Sequence, residues 1–229
     1  MVLPEYSVFT VPVVDRRFAA SAEDLDGAFV TGLRTLARDR GVTVVAGMNE
    51  ARPGRARISN TLVAAGPDGA VSALYRKIHL YDAFGARESD VLEPGELTEP
   101  QTFEAGGLTF GLQTCYDLRF PEVTRRLADA GAQVVLLPAE WVPGPLKEYH
   151  WGTLVRARAI ENTVYVAAAG QTAPTGSGSS LVVDPMGVPV AAMGEQTGTA
   201  VAELTASRIA EVRARNPALE LRRFKVVAR

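Results

Sequence analysis

The sequence of 229 residues predicts an α/β domain with a mixed sheet system. Short apolar runs that suit buried strands alternate with segments whose apolar residues recur every three or four positions, as on one face of a helix. Two pairs of apolar runs are joined by tight turns, Pro-Asp-Gly at 67–69 and Pro-Met-Gly at 185–187. Such turns indicate hairpins, so antiparallel strands are expected beside parallel ones. With 47% hydrophobic residues the chain can fill one large core, and we expect a single domain over residues 1–229.

In the first half of the chain, a helix is predicted from residues typical of helix ends, and strands are predicted from apolar runs. Ser21–Asp24 resembles a capping box with Asp in place of the usual Glu or Gln, and Gly41 is a typical helix stop. The run at 42–47 is apolar throughout, as expected of a strand covered on both faces. The predicted elements are, in order, the end of a strand at 1–5, a loop at 10–20, a helix from 21–24 to 41, and strands at 42–47, 60–65 and 70–76.

In the second half, Pro121 suits the first position of a helix and Gly131 a position just after its end. Residues 83–101 are rich in Gly, Pro and Glu and are expected to form a long loop, which inside a compact domain is usually functional. The predicted elements that follow are, in order, a strand at 108–112, a helix from 121, a strand at 133–138, a helix at 149–162, strands at 164–170, 180–184, 188–193 and 198–204, and a last helix capped by Thr205.

The composition argues against several classes of function. The 24 basic and 26 acidic residues nearly balance, and no basic block suggests a nucleic-acid surface. No apolar run has transmembrane length, and no leader-like segment opens the chain. One cysteine and two histidines leave little material for a disulfide or a metal centre. We therefore expect a soluble, cytoplasmic protein without metal or cofactor that binds neither nucleic acid nor membrane.

Three polar residues stand at the edges of apolar runs: Glu5, Lys77 and Cys115, the only cysteine. Taken singly, each has a plain structural explanation. Glu5 could be a solvated strand end, Lys77 could extend its charged end from a strand to solvent, and Cys115 could pack in the core. Cys115, however, follows a predicted strand directly, at the sheet edge where α/β proteins bind ligands, and charged residues come right after it. Together the three residues supply a base, a cation and a nucleophile, which is what acyl transfer requires.

The segments around these residues resemble the three signatures of the nitrilase (carbon–nitrogen hydrolase) superfamily, in the same order. They are Leu3–Tyr6, Tyr75–Leu80 and Cys115–Glu122, and the similarity continues through Arg156–Asn162 and Val182–Gly187. The cysteine segment is most similar to the branch of ω-amidases and related amidases. The resemblance implies a four-layer α-β-β-α sandwich of the nitrilase type. It also implies a homodimer formed through helices near the active site.

The resemblance also implies roles for the residues in these segments. Cys115 would attack an amide carbonyl, because family members use a Glu-Lys-Cys triad in which Glu5 would be the base. Lys77 and the backbone N–H of Tyr116 would stabilise the oxyanion. Glu88, in the long loop, matches a second glutamate that would hold Lys77 and the substrate; the alternative is a surface acid.

The loop at 139–150 is expected to line the substrate pocket with Glu140, Trp141 and His150. The predicted reaction is hydrolysis of a small linear amide to a carboxylate and ammonia through a thioester on the cysteine. One alternative is an N-carbamoyl amine or amino-acid hydrolase, which would release CO2 with the ammonia. A second alternative is a non-catalytic, truncated remnant that acts as an interaction protein.

The start of the chain differs from the family pattern. In the family, a strand and a helix precede the strand that ends in Pro-Glu, whereas this sequence begins at that strand. We therefore expect that a first strand–helix unit is lacking. A version extended upstream by that unit should be more stable and more active, because a frayed end would not hold Glu5 in place.

Overall fold

The structure, a computed structural model, describes residues 1–227 and places two β-sheets face to face. The first sheet has the order β1-β2-β3 and is antiparallel, and the second has the order β4-β5-β6-β7-β8-β9, in which β5, β6 and β7 are parallel. The strands are β1 Val44–Glu50, β2 Ser59–Ala65, β3 Val71–Arg76, β4 Thr102–Ala105, β5 Leu108–Leu112, β6 Val134–Ala139, β7 Tyr165–Gly170, β8 Leu181–Val183 and β9 Pro189–Ala192. The helices are α1 Arg16–Ala20, α2 Ala28–Arg40, α3 Pro121–Asp129, α4 Lys147–Asn162 and α5 Ala206–Arg215.

Alternate side chains along the central strands point to opposite faces of each sheet and so build separate cores. In the first sheet, Val45 and Leu62 face the second sheet, whereas Val44 and Val63 face α2. In the second sheet, the side chain of Leu136 points towards the first sheet. Its neighbours along β6 point outwards, into a core that includes residues of α3 and α4. The layers are therefore α2, first sheet, second sheet, and α3 with α4, which confirms the predicted four-layer α-β-β-α sandwich.

The ends of the strands bring the sequence-predicted residues to one edge of the sandwich. Cys115 lies three residues beyond β5, Glu140 follows β6 directly, and Lys77 follows β3 directly. The first sheet thus contributes the lysine and the second sheet the cysteine, so the site lies across the two sheets. Among residues 1–227, none of the helices combines the length and apolar character that a membrane crossing needs.

Most predicted elements are present, but the start of α2 was predicted too early. The capping-box residues precede the helix, which begins at Ala28 after Gly27. Glu23 instead forms a parallel bridge with Glu50 at the end of β1, and its carboxylate accepts a hydrogen bond from the backbone N–H of Phe29 at 2.8 Å. Pairing with a strand far along the chain therefore holds this segment extended, while the glutamate still caps the helix by its side chain.

Three further predictions differ from the structure. The loop predicted at 10–20 contains α1, because Phe18 is buried and packs edge-on against the ring of Tyr6 at 5.0 Å. The strand predicted at 198–204 does not form: Val201 is 84% exposed, and Leu204 packs against the core between the sheets without being part of a strand. Strand β4 was missed, although Gly106 and Gly107, both at positive φ, form the tight turn that joins it to β5.

The first residues pair with β1 through a bridge rather than a full strand. Val2 is bridged in parallel to Val45, whose backbone N–H donates to the carbonyl of Met1 at 2.9 Å and whose carbonyl accepts from Leu3 at 2.8 Å. This pairing directs the chain so that Glu5 enters the space between the sheets. The expectation of a further strand–helix unit upstream stays a prediction.

Candidate active site

Lys77 lies between two carboxylates at the centre of the site. Its Nζ is 2.8 Å from Oε1 of Glu5 and 3.0 Å from Oε1 of Glu88. The exposed fractions of the three side chains are only 2%, 1% and 3%, respectively. Burying a charged group is costly unless it is paired, and here each charge has an opposite partner. The structure thus brings together three of the residues that the sequence predicts to be catalytic.

Glu5 is held by donors on both of its carboxylate oxygens. Oε1 accepts from Lys77 and, at 2.6 Å, from Nδ2 of Asn60, while Oε2 accepts from the backbone N–H of Glu140 at 2.6 Å. These donors come from β2, from the residue after β3 and from the residue after β6. Both sheets therefore fix the position of this carboxylate.

Glu88 lies in a 3-10 turn, Glu88–Asp90, within the long loop that the sequence predicted to be functional. Its Oε1 accepts from the hydroxyl of Tyr6 as well as from Lys77, and its Oε2 accepts from the backbone N–H of Tyr81 at 2.5 Å. Since the side chain is buried, Glu88 is not a surface acid. Its carboxylate is placed to orient the ammonium group of the lysine.

Cys115 opens a second 3-10 turn, Cys115–Arg119, which lies between β5 and α3. Its backbone φ is +42°, a left-handed conformation that costs energy in a residue other than glycine and is found at functional sites. The side chain is 6% exposed, and Sγ lies 3.6 Å from the carbonyl oxygen of Glu140. The sequence predicted both the position of Cys115 between a strand and a helix and the start of α3 at Pro121, but not the 3-10 turn that precedes the helix.

The surroundings set the protonation states of the cysteine and the lysine. Burial, and then the negative charge of Glu5, raise the pKa of the Cys115 thiol well above its usual value, although Lys77 opposes this. Burial alone would lower the pKa of Lys77, but the charges of Glu5 and Glu88 outweigh it, so that the pKa is raised. At neutral pH the resting site therefore holds a thiol and an ammonium group, and nucleophilic attack requires removal of the thiol proton.

A narrow cleft gives access to the sulfur. It is lined by Tyr81, Cys115, Tyr116, Arg119, Glu140, Trp141, Val142 and Lys147. Three of the four residues predicted to bind substrate, Tyr116, Glu140 and Trp141, are among these. The fourth, His150, does not line the cleft; instead its Nδ1 lies 3.5 Å from a guanidinium nitrogen of Arg119. It is set back because α4 begins at Lys147 and directs it behind that arginine.

Two cations in the cleft were not singled out from the sequence. The guanidinium of Arg119 lies over the ring of Trp141, with its carbon 4.7 Å from the centroid. In the part of the chain that the structure describes, its Nε and Nη2 are buried without a hydrogen-bond partner. Lys147 donates from Nζ to the hydroxyl of Tyr81 at 2.6 Å, and burial lowers its pKa. Only the position of the arginine within the cysteine signature could have indicated its role.

None of the described cations lies at hydrogen-bonding distance from the buried carboxyl group of Glu140. Thr10 donates to its Oε2. Burial raises the pKa of Glu140 from its ordinary value of 4.5 to about 7, while the hydrogen bonds from Thr10 and Thr175 act in the opposite direction. The carboxyl group therefore gains its charge within the neutral pH range.

We expect Glu140→Gln to stabilise the protein at pH 8 more than at pH 5. The folded state binds the Glu140 proton more tightly than the unfolded chain does, so ionisation costs stability as the pH rises from 4.5 through about 7. The amide stays neutral and avoids this cost, which amounts to roughly 2–3 kcal/mol. Urea unfolding at both pH values measures it, with the exposed Glu148→Gln as control. An equal effect at both pH values would contradict the assignment.

Comparison with known proteins places this site in a family. A family model described as carbon–nitrogen hydrolase matches residues 1–214. The chain is 43% identical over 205 residues to a protein named deaminated glutathione amidase from Escherichia coli O157:H7; the match covers 89% of this chain and 77% of that protein.

Solved structures agree with this assignment. A carbon–nitrogen hydrolase from Helicobacter pylori G27 superposes with a TM-score of 0.87 at 26% identity, covering 97% of this chain and 82% of that one. A glutamate variant of the amidase from Nesterenkonia sp. AN1, with the acetamide moiety of fluoroacetamide on its active-site cysteine, superposes with a TM-score of 0.77 at 32% identity. That match covers 96% of this chain and 81% of the other. The chain therefore belongs to the carbon–nitrogen hydrolase family of the nitrilase superfamily.

Proposed function

We propose that the protein hydrolyses a small linear amide through a thioester on Cys115. The observation that carries the proposal is that Cys115 lines the cleft of a carbon–nitrogen hydrolase and contacts the carbonyl of Glu140, whose backbone N–H donates to Glu5, the carboxylate paired with Lys77. A base, a fixed cation and a nucleophile within one site are the groups that acyl transfer needs.

The first half of the reaction forms the thioester. Glu5 takes the thiol proton as the sulfur of Cys115 attacks the amide carbonyl carbon. The negative charge then moves to the carbonyl oxygen, where the ammonium of Lys77 and the backbone N–H of Tyr116 stabilise it. The C–N bond breaks as Glu5 returns its proton to the leaving nitrogen, which departs as ammonia from a primary amide.

The second half releases the product. Glu5, ionised again, takes a proton from a water molecule as the oxygen of that water attacks the thioester carbonyl carbon. Collapse of the second oxyanion breaks the C–S bond, and the proton passes from Glu5 to the sulfur of Cys115, which restores the thiol. Glu88 orients Lys77 through both half-reactions, since its contact with Nζ does not depend on the sulfur.

We further propose that the acyl part of the substrate carries a carboxylate. Arg119 and Lys147 line the same cleft as Cys115, and the arginine has donors without partners among the described residues. A carboxylate would satisfy a guanidinium and an ammonium group together. The name of the similar Escherichia coli protein, deaminated glutathione amidase, also supports an acid-bearing amide.

We expect succinamate to be hydrolysed with a kcat/KM about 10- to 100-fold above that of 4-methylpentanamide, a neutral amide of similar shape. A hydrogen bond to a charged group contributes about 1.5–3 kcal/mol, which corresponds to this range. Ammonia release measures both rates. Deaminated glutathione serves as a further anionic substrate, with its hydrolysis followed by mass spectrometry of the two fragments.

Arg119→Gln should remove most of this preference by raising the KM for succinamate while leaving the neutral amide unaffected. The exposed Arg38→Gln on α2 is the matched control. Equal rates on the two amides would overturn the anionic substrate but not the amidase. Release of CO2 together with ammonia from N-carbamoyl compounds, with no activity on any amide, would favour the carbamoyl hydrolase instead.

A further inference from the structure

Asp117 is a buried carboxylate next to the nucleophile to which the proposed mechanism gives no role. Its exposed fraction is 0%. Its two oxygens accept four hydrogen bonds, two on each oxygen. The donors are the hydroxyl of Tyr75 at 2.6 Å, Nδ1 of His79 at 2.8 Å, and the backbone N–H groups of His79 and Thr114, both at 3.1 Å. A carboxylate with four donors uses all of its acceptor positions and has no donor of its own to place.

These four donors belong to two different parts of the site. Tyr75 and His79 lie two residues before and two residues after Lys77, at the end of the first sheet. Thr114 immediately precedes Cys115, at the end of β5 in the second sheet. Asp117 therefore joins the segment that carries the oxyanion-stabilising cation to the turn that carries the nucleophile.

The turn at Cys115 needs such support. The left-handed conformation of Cys115 is maintained only where the surroundings impose it. The carboxylate of Asp117 accepts from the backbone N–H of Thr114, and the backbone N–H of Asp117 donates to the carbonyl of Thr114 at 2.9 Å, so this pair closes the 3-10 turn around the cysteine. The ring of His79 is itself fixed, because it stacks on Phe120 with centroids 3.7 Å apart and an interplanar angle of 7°.

We propose that Asp117 is a positioning residue that sets the distance between the sulfur of Cys115 and the ammonium of Lys77. The inference rests on the proposed function, since the distance matters only if an oxyanion forms beside the sulfur. The two groups come from different sheets, and Asp117 is the side chain that bonds to both of their segments. A misplacement of about 1 Å at a reacting centre can reduce the rate on the order of 100-fold.

The test is Asp117→Asn, which keeps the shape of the side chain. The amide replaces one carboxylate oxygen by an NH2 group. This group is a donor and therefore cannot accept the two hydrogen bonds that the replaced oxygen accepts. We expect kcat for succinamate to fall about 10- to 100-fold with little change in KM. The matched control is Asp184→Asn. Asp184 is also a buried carboxylate, bonded to the amides of Met186 and Val188 at 2.9 and 3.0 Å and to Arg208 at 2.8 Å, but in a turn away from the cleft.

Three milder variants, one at Tyr75 and two at His79, separate positioning from general stability. Tyr75→Phe removes one hydrogen bond to Asp117 and should lower kcat several-fold. At position 79, His79→Asn keeps a donor near the place of Nδ1, whereas His79→Ala does not, so the asparagine should retain the higher kcat. Both lose the stacking on Phe120 equally, which makes the pair a matched test of the hydrogen bond.

A readout without hydrolysis keeps this inference separate from the proposed function. The rate at which iodoacetamide alkylates Cys115, measured by mass spectrometry well below the melting temperature, should change in Asp117→Asn but not in Asp184→Asn. Wild-type kcat and alkylation rate in Asp117→Asn would overturn the positioning role. Equal losses of kcat in both aspartate variants would do the same. The wild-type protein could lack amidase activity while Asp117→Asn, and not Asp184→Asn, alters the alkylation rate. That result would overturn the proposed function and leave the positioning role of Asp117 standing.

Discussion

Replacing Cys115 by alanine is expected to abolish hydrolysis and to leave the fold unchanged. The reaction proposed here runs through a bond to the sulfur, and the chain has no second cysteine to replace it. Alanine keeps the Cβ atom, so the left-handed turn meets the same steric demand as before. The contact of the sulfur with the carbonyl of Glu140 is long, at 3.6 Å, so its removal costs little stability. Ammonia release and a thermal melt measure the two effects.

The wild-type protein provides the control for this variant. Iodoacetamide should add one carbamidomethyl group, slowly because the thiol is buried, and excess succinamate should protect against it. Cys115→Ala should take up no label. Substantial turnover by Cys115→Ala would show that the sulfur is not the nucleophile and would end the thioester mechanism.

Glu5→Gln should reduce kcat by roughly 10²–10⁴-fold, the usual contribution of a positioned general base. An amide cannot take the thiol proton, and burial, the largest cause of the raised pKa of Cys115, still favours the protonated thiol in this variant. The amide oxygen can still accept from Lys77 and Asn60, while the NH2 group loses the bond from the backbone of Glu140. We therefore expect a folded protein that binds substrate and forms the thioester very slowly.

A matched control is Glu50→Gln. Glu50 is also buried and bonded to a cation, with Oε1 at 2.6 Å from Arg76, but it bonds to Arg76 and Thr61 and not to Lys77. For Glu50→Gln, a thermal melt should show a loss of stability, whereas ammonia release should show no comparable loss of kcat. A wild-type rate in Glu5→Gln would assign the proton transfer to another group, and Glu140, whose pKa is about 7, would be the first to test.

The sequence predicted those parts of the fold and site that depend on local pattern. Glu5, Lys77 and Cys115 each end an apolar run, and this position alone brings them to one sheet edge. The start of α2 depends instead on a bridge between Glu23 and Glu50, which no local capping rule includes. The apolar pattern around Val201 also predicted a strand, but this segment pairs with no other strand in the described residues.

The same limit explains which site residues were missed. Arg119 belongs to the cysteine signature, but its donors lack partners among residues 1–227 because its guanidinium lies over the ring of Trp141. Lys147 reaches the cleft only because α4 begins there, two residues before the predicted start. His150 was expected in the pocket because it lies in the right loop, yet the direction of that helix sets it behind the arginine. The sequence indicated which segments form the cleft, but packing determines which of their side chains reach it.

The charge arrangement around Lys77 has a consequence for how the enzyme survives when no substrate is bound. One ammonium group faces two carboxylates, so the cluster already has an excess of negative charge before the sulfur could ionise. Peroxide and other oxidants attack the thiolate and not the thiol, so a cysteine that stays protonated is a poor target for them. In the proposed mechanism, the sulfur of Cys115 therefore becomes reactive only when a carbonyl group is present to receive the charge. We expect such an enzyme to tolerate oxidising conditions that inactivate cysteine enzymes with a resting thiolate.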